Sequence, residues 1–360
     1  MMTACLNRIG TAVPDHDIHA PFVAFARTLL ADDGTRKLFD RMAERSGIAH
    51  RYAALRPGVL ARGEVDADGF YRRGAFPGTA ARMALYETQA LDLALRAVEA
   101  LDIAMELPTI SHLVVASCTG FTAPGVDLQL AERLGLRTDV ERILVGFMGC
   151  SAAIPALRAA HHAIRSDPAA RVLVINVELC SLHLQETPDL ESVLSFMLFG
   201  DGASAALVTS DSVGLALDDF RAAIIPGSQD LITWQIGDQG FRMHLSGKVP
   251  GRIAQALRQE LARPDDAGIL HGEGTQSIEL WAVHAGGCTV LDAVETGLGL
   301  HRAALGPSRT VLHDFGNMSS ATVMFVLQGM LAEPPGRRGL AMAFGPGMVA
   351  ETFRFHSVGA

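Results

Sequence analysis

Residues 143–164 read ILVGFMGCSAAIPALRAAHHAI. An apolar run from Ile143 passes through Gly146 and Gly149 to Cys150, then enters Ser151–Ile164, where small residues and a helical apolar period take over. The stretch predicts strand, glycine turn and helix in succession, the connection from which α/β sheets are built. Cys150 stands at the turn. A thiol at a helix start meets unpaired N–H groups and the positive dipole end, which lower its pKa and favour the nucleophilic thiolate. A buried structural cysteine is the commoner fate of a lone Cys in an apolar run, so position alone leaves the two readings level.

Outward from this stretch the pattern repeats. β-rich runs at His112–Ser117, Arg171–Asn176, Ala203–Thr209 and Glu279–Val283 alternate with helical-period segments at Ala80–Leu101, Val126–Leu136 and Ser151–Ile164. The runs are nearly all apolar, as in a sheet covered on both faces. Residues 310–331, TVLHDFGNMSSATVMFVLQGML, echo 143–164: an apolar strand, a Gly316–Asn317 turn and a small-residue helix start. We read two related halves divided near Ser210–Asp211, with 1–210 carrying Cys150 and 211–360 carrying His284 and Asn317. No Pro- or Ser-rich linker separates them, so the halves should pack together. PPGRRG, from Pro334, reads as a surface turn.

With 360 residues, 49% of them hydrophobic and 19% charged, the chain can bury a large core. Mean hydropathy of +0.24 together with 36 Gly points to an extensive subunit interface and a homodimer. A net charge of -9 and a pI near 5.8 argue against a nucleic-acid partner, which needs clustered Lys and Arg. The N-terminus lacks the basic and apolar regions of a signal peptide, and the longest apolar stretch, Ile143–Leu157, is broken by Gly, Cys, Ser and Pro. No integral membrane segment is expected. Five cysteines without CxxC spacing suggest neither disulfides nor a zinc knuckle. A reducing, cytoplasmic location fits best.

Two further residues carry candidate chemistry. His284 ends the apolar strand ELWAV and opens His–Ala–Gly–Gly, a place suited to a general base or hydrogen-bond donor, although most histidines are structural. Asn317 occupies the turn matching that of Cys150; its amide can donate to a developing oxyanion, or it can simply cap a helix. Together, a thiolate, an imidazole and an amide donor are what decarboxylative condensation requires. The thiolate holds an acyl thioester, while the other two hold the oxygen of a malonyl thioester as carbon dioxide leaves. No metal or redox cofactor is needed.

The Gly149–Cys150 turn, LFGDGASA from Leu198, WAVHAGG from Trp281, DFGNMSSAT from Asp314 and FGPGM from Phe344 stand in an order that resembles the type III polyketide synthases, the chalcone synthase-like enzymes of the thiolase superfamily. The resemblance runs from about Asn7 to Phe355. It implies a thiolase-like α/β fold with a duplicated α/β/α/β/α layered core, and a homodimer. It implies an acyltransferase that loads an acyl-CoA starter on Cys150, extends it with malonyl-CoA and cyclises the product to an alkylpyrone, resorcinol or phloroglucinol. His284 and Asn317 would activate the cysteine and stabilise the enolate, and Phe199 would be the gate between CoA tunnel and cavity. Arg41 and Arg45, spaced i, i+4, match positions facing the CoA phosphates. Gly345, Pro346 and Gly347 match the cavity-scaffolding GFGPG loop, with Ala343 replacing its first glycine. Cys118, Thr119, Ala123, Cys180, His183, Met243 and Ser319 fall on cavity-lining positions. Small Ala123 and flexible Met243 would suit a long acyl tail. CTGFTAPGVD, from Cys118, and ELCSLHLQ, from Glu178, look more like bacterial members making alkylresorcinols or alkylpyrones. Ala285, where HPGG is commoner, should leave His284 in place.

The nearest rival is a β-ketoacyl synthase III-like enzyme performing one condensation, which usually shows His–Gln–Ala–Asn where this chain has His–Ala–Gly–Gly. An acyl-thioester hydrolase would need only Cys150 and a base, leaving Asn317 and Phe199 unexplained. A non-catalytic scaffold would be expected to have lost one of the three polar residues. A hydroxymethylglutaryl-CoA synthase-like enzyme would need a glutamate base near the cysteine, and no motif supplies one.

Overall fold

The structure, a computed structural model, describes residues 3–263, 265–272 and 274–359. Among these residues nine strands form one mixed sheet: β1 (Ala4–Ala12), β4 (His112–Ser117), β5 (Glu141–Gly146), β6 (Val172–Leu179), β7 (Asp201–Thr209), β8 (Gly214–Ile224), β11 (Leu280–Val283), β12 (Arg338–Gly345) and β13 (Val349–Val358). The order is β11-β12-β13-β8-β1-β7-β6-β4-β5. Two small ribbons complete the strands, β2 (His16–Asp17) with β3 (Tyr52–Ala53), and β9 (Ile232–Gly237) with β10 (Gly240–Leu245).

The sheet has an internal symmetry about its centre, where β1 and β8 run antiparallel. Outward from β1 come β7 and β6, each antiparallel to its neighbour, then β4, parallel to β6. Outward from β8 come β13 and β12, again antiparallel, then β11, parallel to β12. The first half adds one more parallel strand, β5. The second half has a helix in its place: Thr310–Phe315, expected as a strand, belongs to α9 (Gly306–Phe315). Pro307 sits in the first turn of α9, and its buried residues Ser308, Val311 and Leu312 recur at helical rather than strand spacing.

Three apolar clusters resolve the layers. One joins Leu113, Val115, Leu173 and Ile175 of the first half to α3 (Thr79–Leu101) and α4 (Val126–Arg133). Another joins Trp281, Val283, Leu340 and Met342 of the second half to α7 (Val249–Leu261) and α8 (Cys288–Leu298). Between them, Val114, Val174, Ala282 and Ala341 pack from the two halves onto α5 (Ala153–Ser166) and α10 (Thr322–Gln328). The result is α/β/α/β/α, and it explains the composition of the central helices. Thr322 to Leu327 are buried on every side, and α5 presents Ala153, Ala156 and Ala160, small enough to admit close packing. Alternate residues of one strand enter different clusters, which is why the strands read as continuous apolar runs.

The remaining helices, α1 (His19–Arg27), α2 (Asp33–Arg45) and α6 (Leu190–Leu198), form a flap with their own small core of Phe22, Phe25, Phe39, Val193 and Met197. No helix among the described residues is long and apolar enough to cross a membrane. α5 and α10, lying between the two half-sheets, bring their N-terminal turns together.

Candidate active site

Cys150 lies in a 3-10 turn, Gly149–Ser151, between β5 and α5. Gly149 has φ +58°, and a Cβ there would stand 2.5 Å from Pro346 Cδ. Only glycine meets both demands. Opposite it, a Cβ on Gly345 would collide with Ser151 Oγ and the Met148 carbonyl. The Phe344–Gly347 turn is therefore packed hard against the cysteine turn. Pro346 reaches the cavity; Gly345 and Gly347 do not, and Gly347, at φ +75°, faces open space.

Asn317 approaches from the second half. Gly316 turns the chain out of α9 at φ +68°, and Asn317 then pairs with the end of α6 in a parallel bridge to Phe199. Asn317 N–H donates to the Leu198 carbonyl at 2.8 Å, and Gly200 N–H to the Asn317 carbonyl at 2.9 Å. The side chain is fixed as well: Oδ1 accepts the Ser319 N–H at 2.8 Å, leaving Nδ2 3.9 Å from Cys150 Sγ and 3.3 Å from the Gly286 carbonyl.

His284 follows the last residue of β11 and is 2% exposed, yet neither ring nitrogen has a partner. Burial alone pulls its pKa down to about 3, so the imidazole is neutral. Burial likewise pushes the Cys150 thiol up to about 11, against the hydrogen bonds from Ser319 and Asn317 that favour the thiolate. The expectation was a lowered thiol; burial instead sets it above its ordinary value, and α5 itself begins only at Ala153, beyond the turn.

These groups face one largely apolar cavity, lined also by Cys118, Thr119, Cys180, His183, Phe199, Met243 and Ser319. Its walls are held by polar contacts behind them. His183 Nε2–H donates to the Thr119 carbonyl at 2.7 Å, while Nδ1 accepts the Phe241 N–H at 3.0 Å, so this histidine is fixed, neutral and fully used. Buried Glu178 accepts from Cys118 N–H (3.0 Å), Thr119 Oγ1 (2.8 Å) and Ser320 Oγ (2.6 Å), tying the two halves behind the cysteine.

Besides Gly345 and Gly347, three expected site residues lie outside the cavity lining. Ala123 is exposed, because the loop after Thr119 leaves the cavity through Phe121, whose ring stacks on Phe147 at the end of β5. Arg41 and Arg45 are exposed on α2 and outside the cavity lining, with no ion pair among the described residues. Conversely, sequence reasoning missed Trp234, which pairs with Met243 across the β9–β10 hairpin and donates Nε1–H to the Cys118 carbonyl at 2.7 Å. The alternation of ITWQIG and GFRMHL around Gly237 and Gly240 was the available signal for that hairpin. It also missed Phe22 and Phe196 of the flap and Arg51 just before β3, which reach the cavity.

The chain is similar to known proteins in sequence and in fold. Residues 2–212 match the N-terminal domain of chalcone and stilbene synthases and residues 217–359 match their C-terminal domain. The alpha-pyrone synthesis polyketide synthase-like Pks18 of Mycobacterium tuberculosis is 33% identical over 347 residues, which are 91% of this chain and 84% of that protein. The crystal structure of PKS-I from the brown alga Ectocarpus siliculosus superposes with a TM-score of 0.84 at 29% identity, over 99% of this chain and 98% of the other. The C-terminal type III polyketide synthase domain of Steely1 from Dictyostelium gives a TM-score of 0.86 at 23% identity, over 99% and 100% of the two chains, a likeness of fold.

Proposed function

The chain belongs to the chalcone and stilbene synthase family and is a type III polyketide synthase, an acyltransferase; from that premise we propose that Cys150, His284 and Asn317 carry its chemistry. Cys150 sulfur attacks the carbonyl of an acyl-CoA, His284 takes the thiol proton, and CoA leaves with a proton returned to its sulfur. Malonyl-CoA then loses carbon dioxide, and the electron pair of the broken C–C bond moves to the thioester oxygen, held by N–H groups of His284 and Asn317 Nδ2. The enolate carbon attacks the Cys150 thioester and expels the thiolate, leaving a chain longer by two carbons on CoA, ready to be loaded again.

The observation that supports this best is the unpartnered imidazole. A buried polar group without a partner costs about 1–3 kcal/mol, and here both nitrogens of His284 are idle in the largely apolar cavity that Asn317 also lines. A substrate oxygen would satisfy them. Burial favours the neutral form of both thiol and imidazole, and in the proposed mechanism His284 takes the thiol proton as the sulfur attacks.

The product we propose is an α-pyrone, closed when an enolate oxygen of the chain attacks the thioester carbonyl and expels its sulfur. The likeness to the mycobacterial protein supports it. A long acyl starter suits the apolar walls, Ile18, Phe22, Ile232, Trp234 and Met243 among them. We propose that Arg41 and Arg45, exposed on α2 outside the cavity, meet the phosphates of CoA at its entrance. We also propose a homodimer formed through the free edge of β5, where Ile143 and Leu144 are 46% and 43% exposed and Phe121 and Met148 lie uncovered beside them.

The test is incubation of the purified protein with malonyl-CoA and acyl-CoA starters of short, aromatic and long-chain type, with measurement of carbon dioxide and product masses. Starter masses increased by two-carbon units and closed as pyrones support the reading. Starter hydrolysis without extension would overturn it.

A further inference from the structure

We propose that Arg51 is a positioning residue for the condensation, holding the Phe199 gate and the Asn317 donor in register with Cys150; this rests on the roles proposed above for those three residues. Arg51 precedes β3 and is 1% exposed. Its Nη1 donates to the carbonyls of Phe199 at 2.5 Å and Phe196 at 3.0 Å, and its Nε to His19 Nδ1 at 3.0 Å. Those carbonyls end α6, where the helix has exhausted its own donors, and a cation completes them better than a neutral group.

The stem of Arg51 has its own accommodation. A Cβ on Gly316 would stand 2.6 Å from Arg51 Cγ, and one on Gly200 3.4 Å from Arg51 Cβ. The glycine preceding Asn317 thus leaves room for this side chain, while a Cβ on the glycine following Phe199 would only touch it. Phe199 and Asn317 are themselves bridged, so the guanidinium grips the backbone unit that carries the gate and the donor.

The arrangement is costly as pure scaffolding. Nη2 is buried with no partner, and the guanidinium carbon lies 4.7 Å from the ring centroid of cavity-lining Phe22. Desolvation pulls the pKa down to about 9, with Asp17 and Asp201 opposing, so Arg51 remains charged at neutral pH. A neutral side chain would fill the space without an idle buried N–H group. What it could not do is bind two carbonyls in a fixed fork.

If the grip loosens, malonyl-CoA can still decarboxylate, but the enolate carbon takes a proton, giving acetyl-CoA and carbon dioxide, before it meets the Cys150 thioester. The readout is the ratio of carbon dioxide released to extension units incorporated, measured with kcat, KM and thermal midpoint. In R51M we expect extension kcat to fall at least tenfold, KM for malonyl-CoA to change less than threefold and the ratio to rise at least threefold. R51K, which keeps the charge, should recover part of both. A folded R51M with native kcat and ratio, or loss of extension at an unchanged ratio with no recovery in R51K, overturns the proposal. Should R51M not fold, H19A and H19Q decide: the first removes and the second keeps an acceptor for Nε, so H19A should raise the ratio and H19Q restore it, and native ratios in both overturn it. A wild-type protein that neither decarboxylates nor extends malonyl-CoA overturns the reading of the whole site; a wild type that extends beside unaffected Arg51 variants overturns the role of Arg51 alone.

Discussion

Phe199 and Asn317, one from each half of the chain, form a single backbone unit: the Asn317 N–H meets the Leu198 carbonyl at 2.8 Å, and the Gly200 N–H meets the Asn317 carbonyl at 2.9 Å. Because these bonds are backbone bonds, the asparagine side chain can be removed without dissolving the bridge. Asn317→Ala should lower carbon dioxide release from malonyl-CoA by about 10²–10³-fold, the usual effect of losing one oxyanion donor, at a nearly unchanged melting temperature. Steady-state kinetics with malonyl-CoA alone gives the number.

Cys150 and His284 should separate the two half-reactions. Cys150→Ala should abolish acyl loading, read as the mass of the intact protein after exposure to a starter, yet retain part of the malonyl decarboxylation. His284→Ala should lose both. Decarboxylation surviving intact in His284→Ala would remove the imidazole from the enolate site.

The glycines around the cysteine turn offer a graded test. Gly149 combines φ +58° with Pro346 Cδ at 2.5 Å from the missing Cβ, whereas Gly347 has φ +75° and open space. Gly149→Ala should destabilise by about 2–4 kcal/mol, strain and overpacking together, and displace Cys150. Gly347→Ala should lose only about 1 kcal/mol and keep its activity. Denaturant unfolding and acyl loading of the two variants check the contrast.

Asp201 gives a pH dependence. Burial pushes its carboxyl from the ordinary value near 3.8 up to about 6, against hydrogen bonds from Ser181 and Ala54 and the nearby charge of Arg51. The folded state therefore binds this proton more tightly than the unfolded chain, so the contribution of Asp201 to stability falls as pH rises from about 4 to about 6 and is level above. The change is on the order of 3 kcal/mol. In Asp201→Asn that component of the slope should vanish, visible as a smaller difference between midpoints at pH 4 and pH 6.5 than in wild type. Equal slopes in the two proteins would show that Asp201 does not titrate in this window.

The β5 edge can be tested by charge. Ile143→Lys with Leu144→Asp places two charges on exposed apolar positions, and sedimentation velocity should show a shift from dimer to monomer. A wild type that sediments as a monomer would dispose of the proposed interface.

Several parts of this were legible in the residues. The limits of β4 and the ends of α3 and β7 follow from apolar runs bounded by polar or turn residues, and the His284 strand end follows from the glycines after it. The echo between 143–164 and 310–331 was half right. Both lead through a 3-10 turn into a central helix, but Thr310–Phe315 is helical, because a short apolar run has no clear period and Pro307 lies upstream of the window compared. Ala123 was placed in the cavity by its position in the motif, whereas the course of its loop is set by Phe121 and Phe147, whose contact no local pattern reveals. Trp234 escaped notice although Met243, its partner across the hairpin, did not.

By itself the sequence determined the class of fold, the cysteine turn and the set of polar groups available to it, since these depend on local periodicity, on glycine where φ is positive and on residue chemistry. Tertiary structure alone decided the state of Cys150. From the sequence it was either a thiol activated by a helix start or a buried structural cysteine; in the fold, burial raises its pKa, His284 lines the same cavity with both nitrogens idle, and Asn317 is held beside it by a bridge to Phe199. Desolvation and long-range pairing depend on what surrounds a residue, and those surroundings come from segments far apart in the chain.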